Sequence, residues 1–111
     1  MYKTPKKLKK INIMGQSVRI VIDQALCNAA GAMGLYTHGI IVLLPEYASK
    51  AEYVDTLSHE CFHALNGVLG TQLDPNLEEI LANTMGQMNV QLINALLKNN
   101  VLHDEVPEEA E

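Results

Sequence analysis

Two histidines and a glutamate lie within five consecutive residues, His59-Glu60-Cys61-Phe62-His63. On a helix, residues four apart share a face, with Cβ atoms about 5–6 Å apart, so both imidazoles can reach one metal ion. Imidazole nitrogens bind Zn²⁺ at about 2.0–2.1 Å. Glu60 is rotated by about 100° from His59, which leaves it beside the metal and not bound to it. The spacing therefore predicts that His59 and His63 are zinc ligands.

Glu60 has the position of a general base. Zinc lowers the pKa of a bound water toward neutrality, and a carboxylate beside the metal can take the proton from that water. The alternative interpretation is a pair of ordinary histidines, one hydrogen-bonded and one solvated. Two histidines and a carboxylate at this spacing on a helix favour metal-dependent hydrolysis. We therefore expect Glu60 to be the catalytic residue of a zinc-dependent hydrolase.

Zinc needs a third protein ligand if one coordination position is to stay open for chemistry. The downstream candidates are Glu78, Glu79 and His103. Both glutamates fall in the first turn of a second predicted helix, where a carboxylate also interacts favourably with the helix dipole. On a helical wheel, Glu78 points closer to the middle of the apolar stripe of that helix, and Glu79 lies toward its edge. The residues by themselves leave the third ligand open.

The motif, followed by Glu79-Ile80-Leu81-Ala82-Asn83, resembles the gluzincin family of metallopeptidases. In that family a glutamate on the helix after the HExxH helix is the third ligand, and an Asp or Asn four residues later hydrogen-bonds a ligand histidine. The resemblance implies that Glu79 is the third ligand and that Asn83 orients a histidine. The chain is similar to minigluzincins and to small phage- or prophage-encoded metallopeptidases, which implies a small zinc endopeptidase.

The resemblance also bears on substrate and transition state. In the family an edge strand before the active-site helix pairs with an extended peptide substrate, which here implies residues 40–44. Larger gluzincins supply a transition-state-stabilising His or Tyr from a second subdomain that this chain lacks. The local alternatives, with the last two preferred, are Tyr36, Tyr47, His38 and Tyr53. The alternative function is a zinc-binding module that captures peptides with little or no hydrolysis.

Strands come first in the chain and helices follow. Alternating residues 11–14 and 17–22, separated by Gly15-Gln16, predict a β-hairpin, and residues 34–44 predict one or two more strands. From Ser49 onward the apolar period is helical, and Gly67 and Gly70 supply a stop. This order predicts an α+β fold in which a small antiparallel or mixed sheet packs against the motif helix and a second long helix.

The second helix is predicted over residues 76–98, with Asp74 as its N-cap and Pro75 in its first turn. Its large apolar side chains recur at helical spacing and are expected to face the first helix. This apolar set consists of Leu77, Leu81, Met85, Met88, Leu92, Ala95 and Leu96.

Composition limits the remaining possibilities. The chain has 111 residues, a net charge of −5 and 48% hydrophobic residues, which fits one domain and argues against general nucleic-acid binding. We expect a basic flexible lead over residues 1–8, a zincin-like domain over 9–100 and an acidic tail over 101–111. Two cysteines do not make a disulfide framework, and no run reaches membrane-spanning length, so we expect a cytoplasmic protein whose partner is a peptide or protein substrate.

Overall fold

Six strands and three helices form within residues 1–70 and 73–98, which are described by a computed structural model. The strands are β1 (Tyr2–Lys3), β2 (Lys10–Ile13), β3 (Gln16–Ile22), β4 (Gly34–Thr37), β5 (Ile40–Leu43) and β6 (Glu46–Tyr47). The helices are α1 (Gln24–Ala30), α2 (Lys50–Leu69) and α3 (Pro75–Lys98). The predicted α+β class is confirmed.

A mixed four-stranded sheet has the strand order β2-β3-β5-β4. Strands β3 and β5 are parallel, and the other two pairs are antiparallel. The predicted hairpin forms, but its turn is at Met14 and Gly15, whose φ angles of 51° and 85° match the twist of a tight hairpin. The expectation of an edge strand at residues 40–44 is wrong, because β5 lies inside the sheet and β4 is at its edge.

Within the segment expected to be a flexible lead, residues 2–4 make contacts with the rest of the fold. Strand β1 pairs with β6 in a second, two-stranded sheet. Thr4 is buried, its hydroxyl donates to the Leu44 carbonyl at 2.6 Å, and its amide donates to the Pro45 carbonyl. These bonds hold the first four residues against the loop that leads into α2. The expected tail, residues 101–111, lies outside the described residues.

The hydrophobic core lies between the four-stranded sheet and α2. Ser49 caps the start of α2 by accepting a hydrogen bond from the Glu52 amide, and Gly70 ends the helix in the left-handed conformation. Ala64 is fully buried, and the Tyr53 ring packs against Tyr47 with ring centroids 5.9 Å apart. The buried members of the core are Val18, Ile20, Ile41, Leu43, Tyr47, Tyr53 and Ala64.

Helix α3 packs mainly against α2, but not through the face that the sequence suggested. Its buried residues are Ala82 and Gly86, whereas Leu77, Leu81, Met85, Met88 and Leu92 are exposed. The prediction that these large side chains face α2 is therefore wrong. Small residues allow the backbones of the two helices to approach closely, and that contact turns the large apolar side chains away. None of the described helices is long and apolar enough to cross a membrane.

Gly86→Ala tests this close approach. A Cβ atom at Gly86 would lie 2.7 Å from the Asp55 carbonyl oxygen on α2 and closer still to the Asp55 carboxylate. In an unconstrained helix this change stabilises by about 1 kcal/mol. Here we expect a loss of about 1–3 kcal/mol in the free energy of unfolding, because the clash involves backbone. Urea unfolding measures this change.

The matched control is Gly67→Ala on α2, where the added Cβ meets the movable Tyr36 hydroxyl at 3.2 Å. We expect the control to destabilise less than Gly86→Ala. If Gly86→Ala instead stabilises the protein by the ordinary helix-propensity amount, the close contact between α2 and α3 is contradicted.

Candidate metal centre

Three side chains from α2 and α3 converge on one point at the surface end of a cleft. The Nε2 atoms of His59 and His63 are 3.2 Å apart. The two carboxylate oxygens of Glu79 lie 3.2 Å from Nε2 of His59 and 3.1 Å from Nε2 of His63. One ligand atom from each of the three residues can be chosen so that all lie within 4.8 Å of one another. The structure therefore brings together all three residues that the gluzincin resemblance implies as ligands.

The separations suit a tetrahedral zinc site. Bonds of 2.0–2.1 Å at tetrahedral angles place neighbouring ligand atoms about 3.3–3.4 Å apart. The two Nε2 atoms are 3.2 Å apart, close to that edge length, and the Glu79 carboxylate presents one oxygen to each of them, Oε2 to His59 at 3.2 Å and Oε1 to His63 at 3.1 Å. The donor set of two imidazole nitrogens and one carboxylate is also one that zinc accepts with a fourth position left open. The residues present therefore fit the metal that the motif implies.

Glu78 holds the ring of His63 from its other side. His63 Nδ1 donates to a Glu78 oxygen at 2.5 Å, and the second Glu78 oxygen accepts from the Asn66 side-chain amide at 2.9 Å. A proton fixed on Nδ1 leaves the Nε2 lone pair directed at Glu79 and His59, as metal ligation requires. The resemblance assigned this orienting role to Asn83, which borders the cleft but makes no hydrogen bond to either histidine among the described residues. Among the described residues, Glu78 and not Asn83 makes this hydrogen bond to the ring of a histidine.

Both glutamates lie near the start of α3, Glu78 in the first turn and Glu79 directly after it, because of where the helix begins. The Asp74 carboxylate accepts hydrogen bonds from the Asn76 and Leu77 amides, and Pro75 occupies the first helical position. Successive residues on a helix are about 100° apart, so Glu78 and Glu79 approach α2 from two sides. Glu78 is partly buried beside Asn66, while Glu79, at the cleft, is exposed over 55% of its side chain.

Glu60 lies next to the metal triad, which consists of His59, His63 and Glu79, and is more deeply buried than these three residues. It is only 6% exposed, and its carboxylate is 3.9 Å from His59 Nε2. Strand β4 produces this burial, because Gly34 packs against α2 so closely that a Cβ there would lie 3.5 Å from Glu60 Cγ. Burial raises the pKa of Glu60, and Glu79 adds to the rise, while His59 and His63 act to lower it. A carboxyl group with a raised pKa is suited to both accept and release a proton near neutral pH.

A cleft of about 560 Å³ opens over these residues. Edge strand β4 and the loop before it form one wall, and α2 and α3 form the other. Tyr36 is the member of the four transition-state candidates that borders the cleft. His38 lies in the turn after β4, hydrogen-bonded to Thr37, whereas Tyr53 is a core residue. The preference for these last two is therefore wrong.

The remaining sequence candidates lie elsewhere. Tyr47 is buried, and its hydroxyl donates a hydrogen bond to the Met33 carbonyl. His103 lies outside the described residues. The contact of Glu78 with His63 could not be predicted from the sequence, because it depends on which face of α3 packs against α2.

Comparisons with protein-family models, with curated proteins and with solved structures find no match.

The pKa shifts in the centre predict how the stability of the metal-free protein depends on pH. Burial lowers the pKa of His63, but the hydrogen bond to Glu78 and the charges of Glu60, Glu78 and Glu79 outweigh it, so the pKa lies above 6.5. A histidine with a raised folded pKa contributes stability below its unfolded pKa and loses it as pH rises. Glu60, raised above 4.5, changes stability in the same direction. We expect chelator-treated protein to become less stable from pH 5 to 8 in denaturant titrations.

Glu78→Gln provides the comparison for this titration. The neutral amide cannot stabilise a charged His63, so the decline above pH 6 becomes shallower than in the wild type. An identical decline in both proteins would show that Glu78 does not set the proton affinity of His63.

Proposed function

We propose that this chain is a small zinc-dependent peptidase of gluzincin type. The observation that carries the proposal is the convergence of His59, His63 and Glu79: the two Nε2 atoms are 3.2 Å apart, and each has one oxygen of the Glu79 carboxylate within 3.2 Å. Glu60 next to these residues supplies the acid–base group that hydrolysis requires, within a motif known for this chemistry. Pairs of histidines on a helix are common, but a carboxylate from a second helix that contacts both Nε2 atoms is a specific feature of a metal site.

In this mechanism His59, His63 and Glu79 would hold the zinc ion. When bound there, zinc would polarise the scissile carbonyl and lower the pKa of water toward neutrality. Glu60 accepts the proton of the attacking water and passes it to the leaving amine, a task suited to its raised pKa. Glu78 keeps His63 in the tautomer whose Nε2 is free to ligate.

The proposed substrate is a peptide in extended conformation. Strand β4 has one edge paired with β5, and Ala32 to Tyr36 line the cleft on its other side. A substrate backbone can add to this edge as a further strand, which directs its carbonyl groups past the metal centre. This proposal keeps the β-augmentation of the sequence prediction but transfers it from β5 to β4.

We also propose that the protein acts in the cytoplasm, where its two free cysteines stay reduced.

The ligand set is tested by zinc affinity measured against a competing chromophoric chelator, on protein without a histidine tag. We expect one zinc per chain in the wild type. Substitution of an orienting residue costs about 10–100-fold in affinity, so Glu78→Ala should fall in that range. Glu79→Ala and His63→Ala should lose more, because they remove a ligand. If Glu78→Ala lost more zinc affinity than Glu79→Ala, Glu78 would be the ligand and Glu79 the orienting residue.

Hydrolysis is tested on an unfolded protein or a fluorogenic peptide library. Glu60→Gln should lower the rate by about 10²–10⁴-fold while zinc stays bound, because only the proton-transfer group is removed. The control is Glu46→Gln, an exposed glutamate on β6 outside the cleft, which should keep full activity. Equal rates for Glu60→Gln and the wild type would exclude the mechanism.

A zinc-binding peptide module is the second candidate function. The observation in its favour is that the cleft offers Tyr36 as its only tyrosine among the described residues. Full zinc occupancy without cleavage of any unfolded protein would support this module over the peptidase. In an active enzyme, a lower turnover in Tyr36→Phe at unchanged zinc affinity would support a role for this hydroxyl.

A further inference from the structure

The outer face of α3 carries an apolar stripe with no partner among the described residues. The stripe is formed by Leu77, Leu81, Met85, Met88 and Leu92, each between 37% and 59% exposed. Its members follow one another at steps of four, four, three and four residues, close to the helical repeat of 3.6, so the stripe runs nearly along the helix axis. Such a straight ridge is the form that packs against another helix.

The surroundings of the stripe lack the charges that keep a surface helix in water. No residue from 80 to 97 is charged, and the exposed polar side chains there are Asn, Gln and Thr. Depletion of charged residues is characteristic of the buried centre of an interface. The acidic residues of α3, Glu78 and Glu79, lie near its start, and Lys98 is in its last turn.

The exposed area of the stripe and its uncharged neighbours is comparable to one side of a standard interface. Taking about 200 Å² for a fully exposed Leu or Met, the five residues of the stripe leave about 500 Å² open to solvent, against about 800 Å² that each partner buries in a standard interface. The neighbouring uncharged residues Ile80, Thr84 and Gln91 are also exposed and supply the remainder. A two-fold axis through the stripe pairs it with itself, so Leu and Met meet Leu and Met.

We propose that the chain forms a homodimer in which the α3 stripes of two copies pack antiparallel. Antiparallel packing brings the acidic first turn of each helix toward Lys98 of the other and opposes the two helix dipoles. Parallel packing would instead bring two acidic first turns together. The inference is independent of the proposed function, because the stripe lies outside the metal triad.

Other occupants fit the stripe less well. Residues 99–111 carry five acidic side chains and only three large apolar ones, a poor cover for an uncharged ridge. A helix that lies on a membrane surface carries Lys and Arg on its polar face, and α3 has only Lys98 at its end.

The first experiment measures the mass of the full chain by sedimentation equilibrium. At about 100 µM, where a dimer with micromolar affinity is nearly complete, we expect twice the chain mass of 12.2 kDa. Met88→Glu and Leu92→Lys each place a charge in the stripe and should give the mass of a monomer with unchanged circular dichroism. Asn94→Glu, an exposed position on another side of α3, should remain dimeric. A monomeric wild type, or a dimer that survives both stripe variants, overturns the proposal.

The second experiment tests the orientation by disulfide formation. The midpoint of the stripe is at Met85, so in an antiparallel pair Met85→Cys should cross-link to itself, and Leu77→Cys should cross-link to Leu92→Cys when the two are mixed. Wild type is the background control for the two native cysteines, Cys27, which is buried, and Cys61, which is partly buried on α2. Self-cross-linking of Leu77→Cys and Leu92→Cys alone, without the mixed product, would exclude the antiparallel arrangement.

Discussion

The contact between α2 and α3 at Gly86 sets the positions of the groups in the metal centre. Gly86 has no side chain to separate the helices, and Asp55 fills the space against it while also accepting a hydrogen bond from Gln87 at 3.0 Å. From that contact the two helices run in opposite directions along each other. About two helical turns from that contact, His63 on α2 lies against Glu79 on α3. One turn beyond His63, Asn66 on α2 donates a hydrogen bond to Glu78 on α3. The Glu79 carboxylate can therefore contact the histidines because Gly86, seven residues away on the same helix, allows the two helices to pack closely.

Two adjacent glutamates contact different atoms of the histidines at this site. Glu79 faces the Nε2 atoms of both histidines, and Glu78 takes the opposite ring nitrogen of His63. With Glu60, three carboxylates surround two imidazoles, so the centre attracts a positive charge, either a proton or a metal cation. The same negative field that raises the pKa of His63 in the metal-free protein would strengthen the binding of the proposed divalent cation, which would have to displace that proton.

Helix α3 shows why large apolar residues do not always mark the packed face. Ala82 and Gly86 bury almost no side chain, but they permit an approach close enough for polar groups such as Asp55 and Gln87 to meet across the helices. The large residues are left on the outer face, where their hydrophobic surface favours association. A helix with two binding faces of such different composition can serve the site on one side and an interface on the other.

The amino-acid sequence by itself determined the α+β class, the hairpin, the helix that carries His59 and His63, and the start of the second helix at Asp74 and Pro75, because periodicity and capping are local properties. It could not decide between Glu78 and Glu79, since both occupy the same turn and the apolar stripe pointed to the wrong face. Only the tertiary structure gave each glutamate its partner and put β4, not β5, at the edge of the sheet. Those outcomes depend on backbone approach and strand order, which involve residues far apart in the chain and leave no local pattern.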